Sequence, residues 1–352
     1  MRITVIDYFK DIEDIIGITA KSTQSLFPPS ELEIDQKDID DMLKYTVEHK
    51  LSSVLDFPYY IIEIYGVSRS FTHQWVRHRL SSHMQQSLRY VKIIDEKVLE
   101  LYESDKRIDL ITYVPKWFVI PPSILISGKE AIIKYIEAMI NSSKAYLELL
   151  NYKIPEGNSF NHWFLTKNRE YIPKEDARFA LPIGTKTFVT TAADAEEWLH
   201  IMKVRCCMDA QWEIRITAWT IGFLLYLLHP RIFYRFGPWC IQERCRGFSI
   251  KRDPTCIKNI FNLKETLKEI SNKIREHFIN REDGEIETPL GRIKFYIENK
   301  KWDFFTIDLT DIFGYRTSEE IKKEVIDYFE SQGIKLDKNL LDFEVIGRIR
   351  YI

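Results

Sequence analysis

The strongest apolar run of this chain, Thr217 to Leu228, is the feature that most constrains its fold. The run is too short to span a bilayer, and the sequence His229-Pro230-Arg231 follows it directly. It therefore predicts a helix buried in a protein core. A chain of 352 residues is long enough to bury a substantial hydrophobic core, and it would ordinarily form one large domain or two smaller ones.

Hydrophobic periodicity and turn residues predict the elements around this helix. Residues 129–150 repeat apolar side chains at helical spacing, and a β-rich run at 59–65 ends at Gly66. Asp194 and Glu197 form the pattern of a capping box, which predicts one long helix from there to about residue 228. The other expected elements are a strand at 1–6, helices at about 10–22 and 36–49, and a helix that carries Phe71 to Arg79.

The long predicted helix would bring three functional candidates together. Arg205, Asp209 and Trp212 are three and four residues apart, so they would lie on one helical face. Arg205 would then be held on a rigid element, which suits a catalytic group.

The composition changes beyond Cys256. Lysine and glutamate become dense there, β-like segments occur at 292–297 and 304–309, and a helix is expected from Ser318 to Gln332. We interpret residues 263–352 as a C-terminal extension, formed by a charged helix and a small α+β appendage. Oligomerisation, a protein partner and nucleic acid all remain open as its role.

Charge and cysteine content limit the class of protein. A formal net charge of −2 argues against a surface built as a whole for nucleic acid, so cationic chemistry must be local. The five cysteines are an odd number with no signal peptide ahead of them, which predicts free thiols in a reducing, cytoplasmic compartment. Cys240 and Cys245 with His229 match no common zinc spacing, so no metal site is expected.

The densest polar chemistry lies in residues 77–90. Three arginines there offer forked donors that fit phosphate or carboxylate oxygens, and His78 can stack or donate a hydrogen bond. Ser87 and the neighbouring glutamines supply neutral hydrogen bonds that fix orientation. The run predicts an anion site, and an exposed helix face that binds polyanions without specificity is the alternative.

The spacing within this run is more specific than its composition. Arg-His-Arg at 77–79, then seven residues, Ser87 and Arg89-Tyr90 resemble the signature of the flavin-dependent thymidylate synthases, the ThyX family. Further segments occur in the family's order: Gly66-Val67-Ser68-Arg69, His73-Gln74, Phe118 to Pro122, Ala177-Arg178, Leu181-Pro182 and Ala210 to Arg215. The resemblance covers residues 1 to about 250, with insertions near 94–117 and 155–173. We therefore expect a catalytic domain at 1–262.

The resemblance implies an α+β fold with a mixed sheet flanked by helices, and a homotetramer with shared active sites. It implies reductive methylation of dUMP at C5 to dTMP, with methylenetetrahydrofolate as carbon donor, FAD as redox mediator and NADPH as reductant. Uracil C5 becomes nucleophilic when negative charge develops at N3, O4 and C5, and an arginine held against the ring stabilises that form. Arg205 matches the family residue with this role.

Position by position, the resemblance also implies binding residues. The implied dUMP contacts are Gln74, Arg77, Gln85, Ser87, Arg89, Arg178 and Arg205. The implied FAD contacts are Ser53, Arg77, His78, Arg79, Gln85, Asp194 and His200. Outside this context, Arg178 would be assigned to a surface ion pair with Glu175 or Asp176.

Five positions depart from the family pattern, most of them around the cofactor. Phe57 and Asp209 stand where histidines are common, Asp194 and His200 stand where asparagine is usual, and Gln85 often corresponds to Glu. These changes leave open an altered flavin affinity or a modified reaction.

Two further hypotheses stay beside the synthase. One is a paralogue that acts on another pyrimidine nucleotide, and the other is a catalytically silent protein that binds nucleotide or nucleic acid. The retained arginines favour a working nucleotide site. A thiolate nucleophile at Cys206 or Cys207 is a minor alternative, because a nearby cation such as Arg205 lowers the pKa of a thiol.

Overall fold

The fold is α+β, with helices that flank one large mixed sheet, as the sequence predicts. A computed structural model describes residues 1–49, 51–95, 116–246, 254–332 and 341–352. The described helices are α1 (Ile12–Ser22), α2 (Gln36–Glu48), α3 (Arg69–Trp75), α4 (Pro122–Ile126), α5 (Lys129–Leu150), α6 (Phe160–Thr166), α7 (Lys174–Ala177), α8 (Ala195–Arg205), α9 (Trp212–Leu228), α10 (Trp239–Gln242), α11 (Pro254–Asn280), α12 (Thr310–Phe313) and α13 (Glu319–Glu330). The strands are β1 (Arg2–Asp7), β2 (Tyr59–Ser68), β3 (Ser82–Gln85), β4 (Lys186–Asp194), β5 (Gly284–Thr288), β6 (Gly291–Asn299), β7 (Asp303–Asp308), β8 (Tyr315–Arg316), β9 (Asp342–Phe343) and β10 (Ile346–Arg350).

The main sheet has the strand order β3-β4-β2-β1-β10-β7-β6-β5. β1 pairs in parallel with β10, and the other neighbouring strands pair antiparallel. Ile3, Thr4 and Val5 of β1 are all buried. Because successive side chains of a strand point to opposite faces, both faces of this central strand are covered.

The apolar run forms the buried helix that the sequence predicts. Every residue from Thr217 to Leu228 is buried within α9, which packs against β1, β10 and α11. Gly222 permits this close packing, since a Cβ atom there would lie 2.6 Å from the ring of Phe236. In the described part of the chain, no helix is both long enough and apolar enough to cross a membrane.

The helix predicted to carry Phe71 to Arg79 ends earlier than expected. α3 stops at Trp75, so the Arg-His-Arg segment lies in the connection that follows the helix. The chain must leave the helix there because it turns into β3, which pairs with β4. The sequence predicted no strand at these residues.

The single long helix predicted after Asp194 is wrong, because the chain forms two helices there. The Asp194 carboxylate caps α8 by accepting the Glu197 N–H at 2.8 Å, but α8 ends at Arg205. The Gln211 side chain then accepts the backbone N–H groups of Glu213 and Ile214, both at 3.1 Å, and starts α9. A side-chain cap satisfies the unpaired N–H groups of a new helix, so a break between the helices is stable. Arg205 and the two residues predicted beside it therefore do not share a helical face.

The remaining elements agree closely with prediction, including the helices at α1, α2 and α5 and the strands at β1 and β2. The insertion at 155–173 contains α6, whereas 96–115 of the other insertion lie outside the described residues. The extension contributes β5, β6, β7 and β10 to the main sheet, and the expected helix forms as α13, which the Ser318 side chain caps. α11 runs across the predicted boundary at residue 262, and the division into a catalytic domain and an extension stays a prediction.

Candidate active site

Two distant segments meet at the end of α8. The Arg205 Nε–H donates to His78 Nε2 at 2.9 Å, and Arg205 Nη2 donates to the Gln74 carbonyl oxygen at 3.4 Å. Arg77 lies close enough that its charge, after burial, lowers the pKa of Arg205. We call Gln74, Arg77, His78 and Arg205 the Arg205 cluster. The fold thus assembles four of the predicted site residues around one guanidinium group.

The protonation state of His78 follows from this contact. Arginine cannot lose its Nε proton in a protein, so His78 Nε2 must accept through a lone pair and the ring proton must be on Nδ1. Burial, followed by the charges of Arg205, His200 and His83, lowers the pKa of His78 to about 3. His78 is therefore a neutral imidazole at physiological pH, held against the Arg205 guanidinium group.

The surface around this cluster carries exposed cationic groups, whose chemistry suits an anionic group such as a diphosphate. Arg77 and Arg79 are exposed, and neither forms an ion pair within the described ranges. His200 is exposed with its ring centroid 6.3 Å from that of His78. The turn that carries Ser53 lies beside the start of α8, because the Leu55 carbonyl accepts the Ala195 N–H at 3.1 Å.

Asp194 and Gln85 are positioned by bonds of their own. The Asp194 carboxylate accepts the Glu197 N–H, so one of its oxygens is used to cap α8. Gln85 donates its side-chain N–H to Thr72 Oγ1 at 2.9 Å, which leaves its carbonyl oxygen as an acceptor. The replacement of a usual Glu by Gln85 thus retains an oxygen acceptor but removes a negative charge.

A second group of charges surrounds Glu175. Its carboxylate accepts Arg89 Nε at 3.0 Å and Arg169 Nη1 at 2.6 Å, and Lys167 Nζ lies 3.5 Å away. The hydrogen bonds from Arg169 and Arg89 lower the pKa of Glu175 to about 2. Arg178 donates to the Glu175 backbone carbonyl rather than to a carboxylate, so the surface ion pair considered for it is not formed.

Arg69 belongs to the same group, although the sequence analysis gave it no role. It donates to the Gln86 carbonyl at 2.7 Å, and its Nε is buried without a hydrogen-bond partner. Burial and the neighbouring charge of Arg178 lower the pKa of Arg69 to about 10. We call Arg69, Arg89, Arg178 and Glu175 the Glu175 cluster. The Arg69 Nε–H is thus buried without a partner next to the charge of Arg178, and the only sequence signal for this residue was Ser68-Arg69 in the resembling segment.

The family to which the chain belongs follows from comparison with known proteins. The family model described as thymidylate synthase complementing protein matches residues 4–231. A flavin-dependent thymidylate synthase of Sulfolobus acidocaldarius is 32% identical over 264 residues, which cover 74% of this chain and 85% of the relative. One from Sulfurisphaera tokodaii is 30% identical over 279 residues, which cover 78% and 91%.

The chain belongs to the flavin-dependent thymidylate synthase (ThyX) family. A solved ThyX structure from Helicobacter pylori, complexed with FAD and dUMP, has 20% identity and a TM-score of 0.44, and the match covers 65% of this chain and 99% of that one.

The thiols of this ThyX chain are not poised as nucleophiles. Cys206 is buried, and burial raises the pKa of its thiol well above the ordinary value. Burial also raises the pKa of Cys207. Neither is a thiolate at neutral pH, which argues against the cysteine hypothesis. Among the residues described, no group of three His, Cys, Asp or Glu is arranged to hold a metal ion.

Two cavities of this ThyX chain lie away from both clusters. One of about 400 Å³ is lined by α2 together with Arg231 and Tyr234. The other, of about 430 Å³, is formed within the 155–173 insertion and its flanks. Neither cavity is lined by a residue predicted for the site.

Proposed function

We propose that this chain converts dUMP to dTMP, with methylenetetrahydrofolate as the carbon donor, FAD as the redox mediator and NADPH as the reductant. Membership of the ThyX family supports the reaction class. The observation that carries the proposal is the contact between Arg205 and His78, which fixes a guanidinium group beside the exposed Arg77.

Arg205 is the proposed catalytic residue. Attack by C5 on the carbon donor requires negative charge on N3 and O4 of the uracil ring, and a fixed guanidinium group stabilises that charge without reorganising. The contacts with His78 and Gln74 hold the group before substrate arrives. Removing such a donor costs on the order of 10²-fold or more in kcat.

The other predicted residues are proposed to bind and orient the ligands. Ser87, Arg89 and Arg178 would hold the phosphate of dUMP, and the Arg69 cation lies near Arg178. Arg77, His78 and Arg79 would bind FAD, which supplies redox chemistry when bound. Ser53, Gln85, Asp194 and His200 complete the proposed cofactor contacts.

We further propose a homotetramer in which two subunits complete each site. Within one chain, the described contacts include no hydrogen bond or ion pair between side chains of the Arg205 and Glu175 clusters. Each cluster contains an exposed arginine, Arg77 in one and Arg89 in the other, so each can meet the other cluster of a second subunit. Mixing inactive Arg205→Ala and Arg178→Ala subunits should then restore activity, because one mixed interface holds both intact clusters. No recovery after verified subunit exchange would contradict shared sites.

The first experiment for the reaction follows the hydrogen at C5. Purified protein is given FAD, NADPH, methylenetetrahydrofolate and dUMP tritiated at C5 under low oxygen. Release of tritium together with dTMP is the expected result. The Arg205→Ala variant is the matched control and should release tritium at least about 100-fold more slowly.

The alternatives give different results in the same assay. Tritium release with a different nucleotide product would identify a paralogue. No release from protein that binds both flavin and dUMP would refute the synthase and leave the binding hypothesis.

A further inference from the structure

Glu197 is a buried carboxylate that the proposed chemistry does not use. It lies in the first turn of α8 with 4% of its side chain exposed, and its Oε1 lies 3.8 Å from His78 Nδ1. On the opposite side of the same ring, His78 Nε2 accepts the Nε–H of Arg205. Glu197, His78 and Arg205 therefore form a continuous row.

We propose that Glu197 is a positioning residue for Arg205: its carboxylate holds the His78 proton on Nδ1, so that Nε2 stays an acceptor that orients the guanidinium group. The inference rests on the proposed function, because it explains how the catalytic arginine is held.

The two tautomers of His78 have opposite effects on Arg205. With the proton on Nδ1, the ring accepts the arginine N–H at 2.9 Å. With the proton on Nε2, two N–H groups would face each other at that distance and Arg205 would be displaced. A negative charge beside Nδ1 favours the first tautomer. The 3.8 Å separation exceeds a hydrogen-bond length, but catalytic contacts often tighten once substrate is bound.

The Glu197 side chain does not complete the cap of its own helix, and its other contact is with the Ser81 hydroxyl group. In a full capping box it would return to the N–H of Asp194, but Asp194 lies in β4 and pairs with Tyr59. Asp194 supplies the cap, while the Glu197 carboxylate is directed at His78. Burial, and then the charge of Asp194, raise the pKa of Glu197 to about 7. The fold thus buries the Glu197 carboxylate next to His78, although burial disfavours its charged form.

The arrangement makes the position of Arg205 depend on pH. The groups that face Glu197 are His78 and Ser81 across the connection after α3, and Asp194 and Glu196 on its own element. Around His78 lie Arg205, His200 and His83, and the pKa values of both histidines are lowered, chiefly by burial. Glu197 is therefore the group in this set whose charge changes near pH 7, and its protonation weakens the hold on Nδ1.

The test compares Glu197→Gln and Glu197→Ala with wild type, with Glu265→Gln on the distant helix α11 as the matched control. For wild type, kcat with saturating dUMP should fall below about pH 7. Glu197→Gln keeps a hydrogen-bond acceptor but has no titrating group. It should therefore retain turnover at pH 8 and lose the acid limb, which is the fall in kcat below about pH 7. Glu197→Ala should lose kcat by on the order of 10-fold at pH 8 with little change in KM, as for other residues that orient a functional group. Glu265→Gln should behave as wild type.

A second readout does not depend on turnover. Nitrogen NMR of full-length protein labelled with ¹⁵N-histidine reports which ring nitrogen of His78 carries the proton. Wild type and Glu197→Gln should show the Nδ1–H tautomer at pH 8, and Glu197→Ala should show a mixture. An unchanged tautomer in Glu197→Ala, or an unchanged acid limb in Glu197→Gln, would overturn the inference. If the protein forms no thymidylate, the proposed function fails while the tautomer measurement still decides the role of Glu197.

Discussion

Replacement of Glu213 should loosen the segment that carries the Arg205 cluster. Glu213 is 1% exposed, and its carboxylate accepts the Ser68 N–H at 2.7 Å and the Ser68 Oγ–H at 2.6 Å. Ser68 Oγ in turn caps α3 by accepting the Phe71 N–H at 3.0 Å. Glu213 therefore anchors the start of the helix that leads to Gln74 and the Arg-His-Arg segment.

The magnitude follows from the two hydrogen bonds and the burial of the charge. Hydrogen bonds to a charged group contribute roughly 1.5–3 kcal/mol each, so Glu213→Ala removes roughly 3–6 kcal/mol of interaction. Burial raises the pKa of Glu213, so the variant also relieves the cost of a buried charge, and we expect a net loss of about 2–3 kcal/mol. Glu213→Gln keeps neutral hydrogen bonds to Ser68 and should lose about 1 kcal/mol.

Urea unfolding followed by tryptophan fluorescence measures both changes, and the slope should stay constant. Turnover should fall with stability in the alanine variant, since α3 positions Gln74. A loss below about 1 kcal/mol for Glu213→Ala would refute the reasoning.

Three other changes test the ion pairs and the sheet. Arg231→Ala removes the cation that donates to the buried Glu13 at 2.8 Å. Because the arginine is 36% exposed, we expect a loss of only about 1–2 kcal/mol in urea unfolding, against almost none for the exposed Lys273→Ala. The contribution of Glu197 to the free energy of unfolding is complete below the ordinary glutamate pKa of 4.5 and is lost as pH rises through about 7. Between pH 5 and pH 8, Glu197→Gln should therefore gain up to roughly 3 kcal/mol of stability relative to wild type. The absence of such a gain would contradict the raised pKa of Glu197. Ile349→Ala in β10 leaves a cavity at a fully buried position and should destabilise the protein by about 2–5 kcal/mol. Unfolding should remain a single transition, whereas two transitions would mark the extension as an independent unit.

The sequence predicted the parts of the fold that depend on local pattern. α9 follows from an unbroken apolar run, and α5 follows from apolar spacing, with bounds that match the expected 129–150. The site motifs were also visible, because their order and spacing are properties of the chain. These features need no knowledge of what packs against them.

The predictions of secondary structure were wrong where contacts between residues distant in the sequence determine the structure. No glycine or proline marks the break between α8 and α9, and the Gln211 side chain that starts the second helix could equally lie within a longer one. β3 is four polar or weakly apolar residues that become a strand only through pairing with β4. β10 pairs with β1 from the other end of the chain, so nothing local shows that the extension completes the main sheet.

The site contacts lay beyond sequence reasoning for the same reason. His78 and Arg205 are 127 positions apart, and only the fold shows that one orients the other. Arg69 had no predicted role, and Glu197 had only a capping role, until the structure placed them beside Arg178 and His78. A motif identifies which residues matter, whereas tautomers and orphaned donors are properties of the packed site.

The position of Arg205 follows from the lengths of regular elements rather than from loops. β2 and β4 pair antiparallel, so α3 and α8 begin at opposite ends of the pair, ten residues or roughly 33 Å apart. Trp75, at the end of α3, donates to Thr191 near the far end of β4, so α3 folds back over the sheet toward α8. α8 has 11 residues and runs roughly 16 Å, which places Arg205 level with Gln74 and His78. Because strand pairing and helix rise fix this distance, the fold holds the Arg205 guanidinium group against His78 within a single chain, before any ligand is bound.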